Sequence, residues 1–276
     1  MHSTPHGAAV TATGYGLQGP RGWAFRDVGL AAQPGSLIAV EGPSGSGRTC
    51  LLLALTGRMA TTAGTAEVAG LPLPKKKAAV RAVTALAHVP GVTDLEPALT
   101  VAEQLRERVL LQRRFGDSAP ADAGGALSAL LRPRRERTAA ARVRIDAALE
   151  AAGLDLAALP KGDRTSVRDL ERPEALRLSM ALALIGRPRL LAVDDTDMKL
   201  SDAERAGLWA TLRSLAESGT TVLAVCSQAP DGAVVVRTAP RRRKGRRIRP
   251  RHRRHGHPRR REGGGGCARR GWPRLS

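Results

Sequence analysis

Four short stretches of the chain are apolar at nearly every position instead of at alternate ones: "SLIAVE" (36–41), "TALAHV" (84–89), "RLLAVD" (189–194) and "TTVLAVC" (220–226). Strands of this kind are buried on both faces, which predicts an α/β fold with a mostly parallel sheet flanked by helices. Between them a helical period takes over. Val101, Leu105 and Val109 repeat at i, i+4 and i+8 in "LTVAEQLRERVLL", and Ile145, Ala148, Leu149 and Ala152 share one face of a helix over about 138–152 that Gly153 stops. The segment "SDAE" reads as a capping box, with Ser201 and Glu204 closing the start of a helix over 202–217. The Gly-rich "GDSAPADAGGA" (116–126) predicts a mobile loop.

Composition divides the chain in two. Of the net charge of +20, residues 237–276 carry +16 and residues 1–236 only +4, so the body of the protein is nearly balanced. The last 40 residues have almost no apolar content, cannot form a core, and are expected to be a disordered Arg-rich tail. Every periodic segment lies in 1–236, which is expected to be the folded domain, with a helical subdomain over about 93–187 inserted in it. Nucleic acid enters only as non-specific binding by the tail. Cys50, Cys226 and Cys267 are widely spaced with no matching histidine pattern, which suggests neither a disulfide framework nor a zinc site and fits a reducing cytosol. No secretory signal and no apolar run of bilayer length is read, so a cytoplasmic protein is expected, reaching a membrane only through a partner.

The chemistry is concentrated where the first apolar stretch stops. "GPSGSGRT", Gly42 to Thr49, matches G-x-x-x-x-G-[KR]-[ST] between a predicted strand and a predicted helix. Glycines at Gly42, Gly45 and Gly47 let the backbone N–H groups of this loop, with Ser44, Ser46 and Cys50 around it, point inward at phosphate oxygens, and the helix N-terminus adds partial positive charge. Thr49 is placed to ligate Mg2+. Arg48 stands where such loops carry lysine: its planar, forked guanidinium keeps the charge without the compact ammonium.

Further on, "RLLAVDD" is an apolar strand ending in two carboxylates, with Asp194 at a metal-binding position. With the loop, this pair makes the chain resemble an ATP-binding cassette (ABC) ATPase, a P-loop NTPase. "GPSGSGRT", "HVPG…ALTVAEQL", "LERPEALRLSMALALIGRPRLLAVDDTD" and "TTVLAVCSQ" follow that family's order over most of residues 23–228. The resemblance implies ATP and Mg2+ as ligands, a head-to-tail homo- or heterodimer around two nucleotides, and an integral membrane transporter or envelope protein as partner at the inner face of the cell membrane. It also implies an aromatic ring stacked on adenine, for which Trp23 and Tyr15 are the candidates.

The departures matter as much. The family's signature loop is "LERPE" here, Leu170 to Glu174, and Glu171 and Glu174 place acidic charge where γ-phosphate donors belong. The glutamine of the Q-loop falls on Gly91, the catalytic glutamate on Asp195, the switch histidine on Ser227 and the D-loop aspartate on Ser201. Asp195 is one methylene short of the family's base, and a misplacement of about 1 Å can cost on the order of 100-fold. The expected function is the ATP-binding component of an ABC-transporter-like assembly with weak or absent hydrolysis. The alternative is a pseudo-ATPase interaction module in which nucleotide serves only structure.

Overall fold

In the computed structural model, which describes residues 6–115, 134–196 and 200–238, the strands fall into two sheets. The antiparallel sheet is built from β1 (Val10–Gly19), β2 (Gly22–Ala32), β4 (Ala63–Val68) and β5 (Leu71–Leu73), in the order β2-β1-β4-β5. The parallel sheet takes β3 (Leu37–Glu41), β6 (Thr84–Leu86), β7 (Leu190–Val193), β8 (Thr221–Cys226) and β9 (Val234–Arg237), in the order β6-β7-β8-β3-β9. All its pairings are parallel. The described residues belong to one compact unit, Met1–Arg242. The loop at 116–126 and all but the first two residues of the basic tail lie outside them.

The continuous apolar strands are explained by two hydrophobic clusters, one on each face of the parallel sheet. Because side chains alternate across a strand, Leu37 and Ala39 point to the cluster shared with the long helices, while Ile38 and Val40 point to the one shared with the antiparallel sheet. β7 and β8 divide in the same way: Leu191, Val193, Val222 and Ala224 on one side, Leu190, Ala192, Leu223 and Val225 on the other.

Helices α1 (Arg48–Leu55) and α2 (Lys77–Val83) lie on the side of the antiparallel sheet, burying Leu51, Leu52, Leu55 and Val80. The opposite cluster takes α3 (Val101–Phe115), α4 (Arg134–Ala152), α5 (Arg172–Leu184) and α6 (Asp202–Glu217). Val101 and Leu105 of α3 and Ala148, Leu149 and Ala152 of α4 are buried, as their spacing predicts. α6 begins with the predicted box: the Ser201 backbone N–H donates to Glu204 Oε2 at 2.7 Å, and the Glu204 N–H donates to Ser201 Oγ at 3.3 Å. Both α3 and α4 sit between β6 and β7 in the chain. No helix among the described residues is long and apolar enough to cross a membrane.

A candidate phosphate loop and its carboxylates

β3 ends at Glu41 and α1 starts at Arg48, so the Gly-rich loop joins a central strand of the parallel sheet to a helix N-terminus. The loop is clamped from two sides. A Cβ at Gly47, whose φ is +87°, would overlap the carbonyl oxygen of Ala24 on β2. At the other end a Cβ at Gly42 would overlap the Thr238 hydroxyl. Thr238 follows β9: its backbone N–H donates to Glu41 O at 2.9 Å, and its Oγ1 shares a 2.6 Å hydrogen bond with the buried Ser46 Oγ. Pro43, Ser44 and Gly45 remain exposed at the tip.

Thr238 lies two residues beyond the 1–236 boundary expected from the sequence. A chain ending at Val236 therefore loses a loop contact that a chain ending at Thr238 keeps. We expect the shorter chain to melt about 2–4 °C lower, the effect of about 1 kcal/mol in a domain of this size. Equal melting curves for the two chains, followed by circular dichroism, would show that Thr238 contributes nothing.

The Thr49 hydroxyl donates to Asp194 Oδ2 at 2.6 Å, bringing together the two residues singled out for metal. Asp194, 5% exposed at the end of β7, also accepts the Asp195 N–H on Oδ1 at 2.9 Å. Burial raises its pKa above the usual carboxylate value, against the lowering effect of the Thr49 and Asp195 hydrogen bonds. Arg48 turns elsewhere. Its Nη1 donates to the carbonyl oxygen of Cys226 at 2.6 Å, at the end of β8 and next to Ser227.

Asp195 has φ of +58°, a left-handed conformation that aspartate tolerates better than most residues. Its carboxylate faces Arg172 of α5, with Nη2 to Oδ2 at 3.8 Å, and the same Nη2 lies 3.2 Å from His88 Nε2. Burial, then the Arg172 charge, lowers the His88 pKa, so the neutral imidazole accepts from the guanidinium. Arg172 Nε is buried with no hydrogen-bond partner among the described residues. The sequence reading missed this cluster. It weighed the two acids of "LERPE" and passed over the arginine between them, and no periodicity links residue 172 to residue 88.

The other residues singled out are placed as follows. Gly91 has φ of +73° in a turn where its N–H donates to the Asp94 carboxylate at 3.0 Å. Glu174 closes the start of α5 by accepting the Glu171 N–H at 2.8 Å, so "LERPE" is a well-capped helix start. Tyr15 is 1% exposed with its ring centroid 6.0 Å from that of Phe25, which makes it a core residue and removes it as an adenine platform. Trp23 is half-buried, directly before the Ala24 carbonyl that packs on Gly47, and its ring lies against Gly16 of β1.

The family model described as ABC transporter matches residues 25–197 of the chain. The chain belongs to the ABC transporter family. Among curated proteins it is 31% identical over 194 residues to Nod factor export ATP-binding protein I of Cupriavidus metallidurans, covering 70% of this chain and 54% of that one. The protein of the same name from Paraburkholderia xenovorans is 32% identical over 190 residues, with 69% and 53% covered. The chain thus spans about half the length of these relatives. Solved structures agree on the fold. A dimeric post-hydrolysis state of the ATP-binding cassette MJ0796 bound to ADP and Pi superposes with TM-score 0.59 at 20% identity, over 79% of this chain and 88% of that one. A bacterial Atm1-family ABC exporter with ATP bound gives 0.58 at 19%, over 82% and 35%.

Proposed function

We infer that this chain is the ATP-binding component of an ABC-transporter-like assembly, binding Mg-ATP at Gly42–Thr49 with weak or absent hydrolysis. The observation that carries the reading is the Thr49–Asp194 hydrogen bond of 2.6 Å beneath a helix N-terminus, combined with an Arg48 committed to a backbone carbonyl. Two oxygen ligands suit Mg2+, which keeps several waters and takes its remaining oxygens from nucleotide phosphates. Consistent with that, no group of three or more His, Cys, Asp or Glu side chains able to hold a metal occurs among the described residues. The phosphates would lie against the N–H groups of Ser44, Gly45, Ser46, Gly47, Arg48, Thr49 and Cys50, with Gly42 opening the turn and Trp23 the aromatic offered to the base. Mg2+ held by Thr49 and Asp194 would neutralise phosphate charge.

Support for weak hydrolysis comes from Asp195. A general base must be free to accept a proton from water, whereas this carboxylate is short by one methylene and faces the Arg172 cation. The relatives' names speak of export, which supports a membrane partner for this chain as well, with a homo- or heterodimer as the working unit. A pseudo-ATPase interaction module is the second reading, favoured by the Arg172–Asp195 contact.

Calorimetric titration with Mg-ATP tests the first reading: saturable binding below millimolar nucleotide is expected and none at millimolar nucleotide removes it, while steady-state phosphate release separates a weak ATPase from a module that only holds nucleotide. Asp194→Asn sharpens the test. A carboxyl with a raised folded pKa contributes stability below its unfolded pKa, which is lost as the pH rises through the folded value. At neutral pH the variant therefore melts no lower than the parent, while the Mg2+-dependent part of ATP binding disappears.

A further inference from the structure

Ser46 is the one buried residue of the loop Gly42–Thr49, 1% exposed, and it stands between two glycines with left-handed backbone, Gly45 at φ of +78° and Gly47 at φ of +87°. Glycine takes many conformations with little steric cost, so the backbone on either side of Ser46 fixes no shape by itself. The serine side chain does. Among the described residues its Oγ makes one hydrogen bond, 2.6 Å to Thr238 Oγ1, across 192 positions of sequence.

Thr238 is itself tied down. It is 4% exposed directly after β9, its backbone N–H donates to Glu41 O at 2.9 Å, and its hydroxyl reaches the same oxygen at 3.4 Å. That hydroxyl can therefore donate to Glu41 O while it accepts from Ser46. β9 brings it there by pairing with β3 in parallel register, Val236 beside Val40 and Arg237 beside Glu41, and Arg237 Nε adds a 3.0 Å bond to Glu41 Oε2. Room for the two hydroxyls comes from Gly42. Its backbone is not left-handed, but a Cβ there would overlap both Oγ1 of Thr238 and Oγ of Ser46, so this glycine serves space where Gly45 and Gly47 serve backbone direction. Thr238 lies outside residues 25–197, which the family model matches.

We propose that Thr238 is a positioning residue of the phosphate loop: through Ser46 Oγ it holds Gly45, Ser46 and Gly47 in the shape that presents the loop's N–H groups to a phosphate anion. The inference rests on the phosphate-loop reading above and deepens it. A loop already in its bound shape loses less freedom on binding, so the loss of one hydroxyl at the end of β9 is read as a looser loop and a weaker hold on nucleotide.

The test compares the full chain with Thr238→Val, Thr238→Ser, Ser46→Ala and the double variant Ser46→Ala with Thr238→Val. Two quantities are read: hydrogen exchange of the residue 46 amide without nucleotide, which in the parent donates to Pro43 O at 3.1 Å, and Mg-ATP affinity by calorimetry. Thr238→Val keeps the volume and removes the hydroxyl, and should speed the exchange and weaken the affinity about tenfold each, the worth of about one hydrogen bond. Thr238→Ser keeps the hydroxyl and should stay near the parent. On the Ser46→Ala background Thr238→Val should add nothing, because its effect runs through Ser46; a threonine that only packs the end of β9 would cost the same on either background. The proposal is overturned if Thr238→Val matches a nucleotide-binding parent in either quantity, if Thr238→Ser fails to rescue, or if the two changes are additive. A parent that binds no Mg-ATP would remove the nucleotide reading instead, and the exchange rates would still decide whether Thr238 shapes the loop.

Discussion

Gly47→Ala is expected to lower the melting temperature by about 5–10 °C and to abolish binding of Mg-ATP. The cost has two sources acting at one atom. The residue sits at φ of +87°, where an L side chain is strained by about 1–3 kcal/mol, and the added methyl would overlap the Ala24 carbonyl of β2. That neighbour is backbone within a sheet and cannot step aside, so either the loop or the strand must move. About 1 kcal/mol corresponds to about 2–4 °C in a domain of this size. Gly45→Ala provides the control: φ is +78°, but nothing lies within 4 Å of the added methyl, so it bears the strain alone. Thermal melts and calorimetry of both variants decide the matter. If Gly47→Ala melted with Gly45→Ala and still bound nucleotide, the packing of the loop on β2 would not be what shapes it.

The parallel half of the fold was legible in the sequence because burial on both faces leaves a continuous apolar run that needs no partner to be recognised. The antiparallel sheet was not. β1, "VTATGYGLQG", is broken by Gly14 and Gly16, and register shifts occur between Ala12, Tyr15, Leu17 and Gln18, so the period of two that marks a half-buried strand is lost within a few residues. The same contrast divides the site. Gly42 to Thr49 and Asp194 announce themselves because loop chemistry and strand ends are local. Thr238 meets Ser46 across 192 positions, and Arg172 meets His88 across 84. Nothing local tells a long guanidinium which way to turn, and Arg48 illustrates it: its charge was read correctly from the motif, yet its hydrogen bond goes to Cys226, on another strand.

Arg48→Lys alone is expected not to restore substantial ATP turnover. The lysine would release the Cys226 carbonyl and return a compact charge to the phosphate loop. The rest of the site would be unchanged. Asp195 would still be short and still face Arg172 at 3.8 Å. Gly91 would still have no side chain, and Ser227 would still stand where the family's histidine does. Groups that act as a unit are strongly non-additive, so restoring one while the others are missing recovers little. In the head-to-tail dimer proposed above, pairing with an intact homologue would leave this deficit in place, because Arg48, Gly91, Asp195 and Ser227 belong to one chain, and the partner's nucleotide would meet Glu171 and Glu174 at the start of α5. The structure adds one change to the repair. Arg172→Gly removes the cation beside Asp195 along with the orphaned Nε, and should be combined with Arg48→Lys, Asp195→Glu and Ser227→His. Gly91→Gln has open space around its Cβ but meets φ of +73°, so it costs about 1–3 kcal/mol of backbone strain and is best added last. Steady-state phosphate release by the parent, the single variant and the four-fold variant is the measurement. A rise to about 1 per second, the order of ordinary enzymes, in the single variant would mean that Asp195 works as it stands and that its contact with Arg172 does not restrain it.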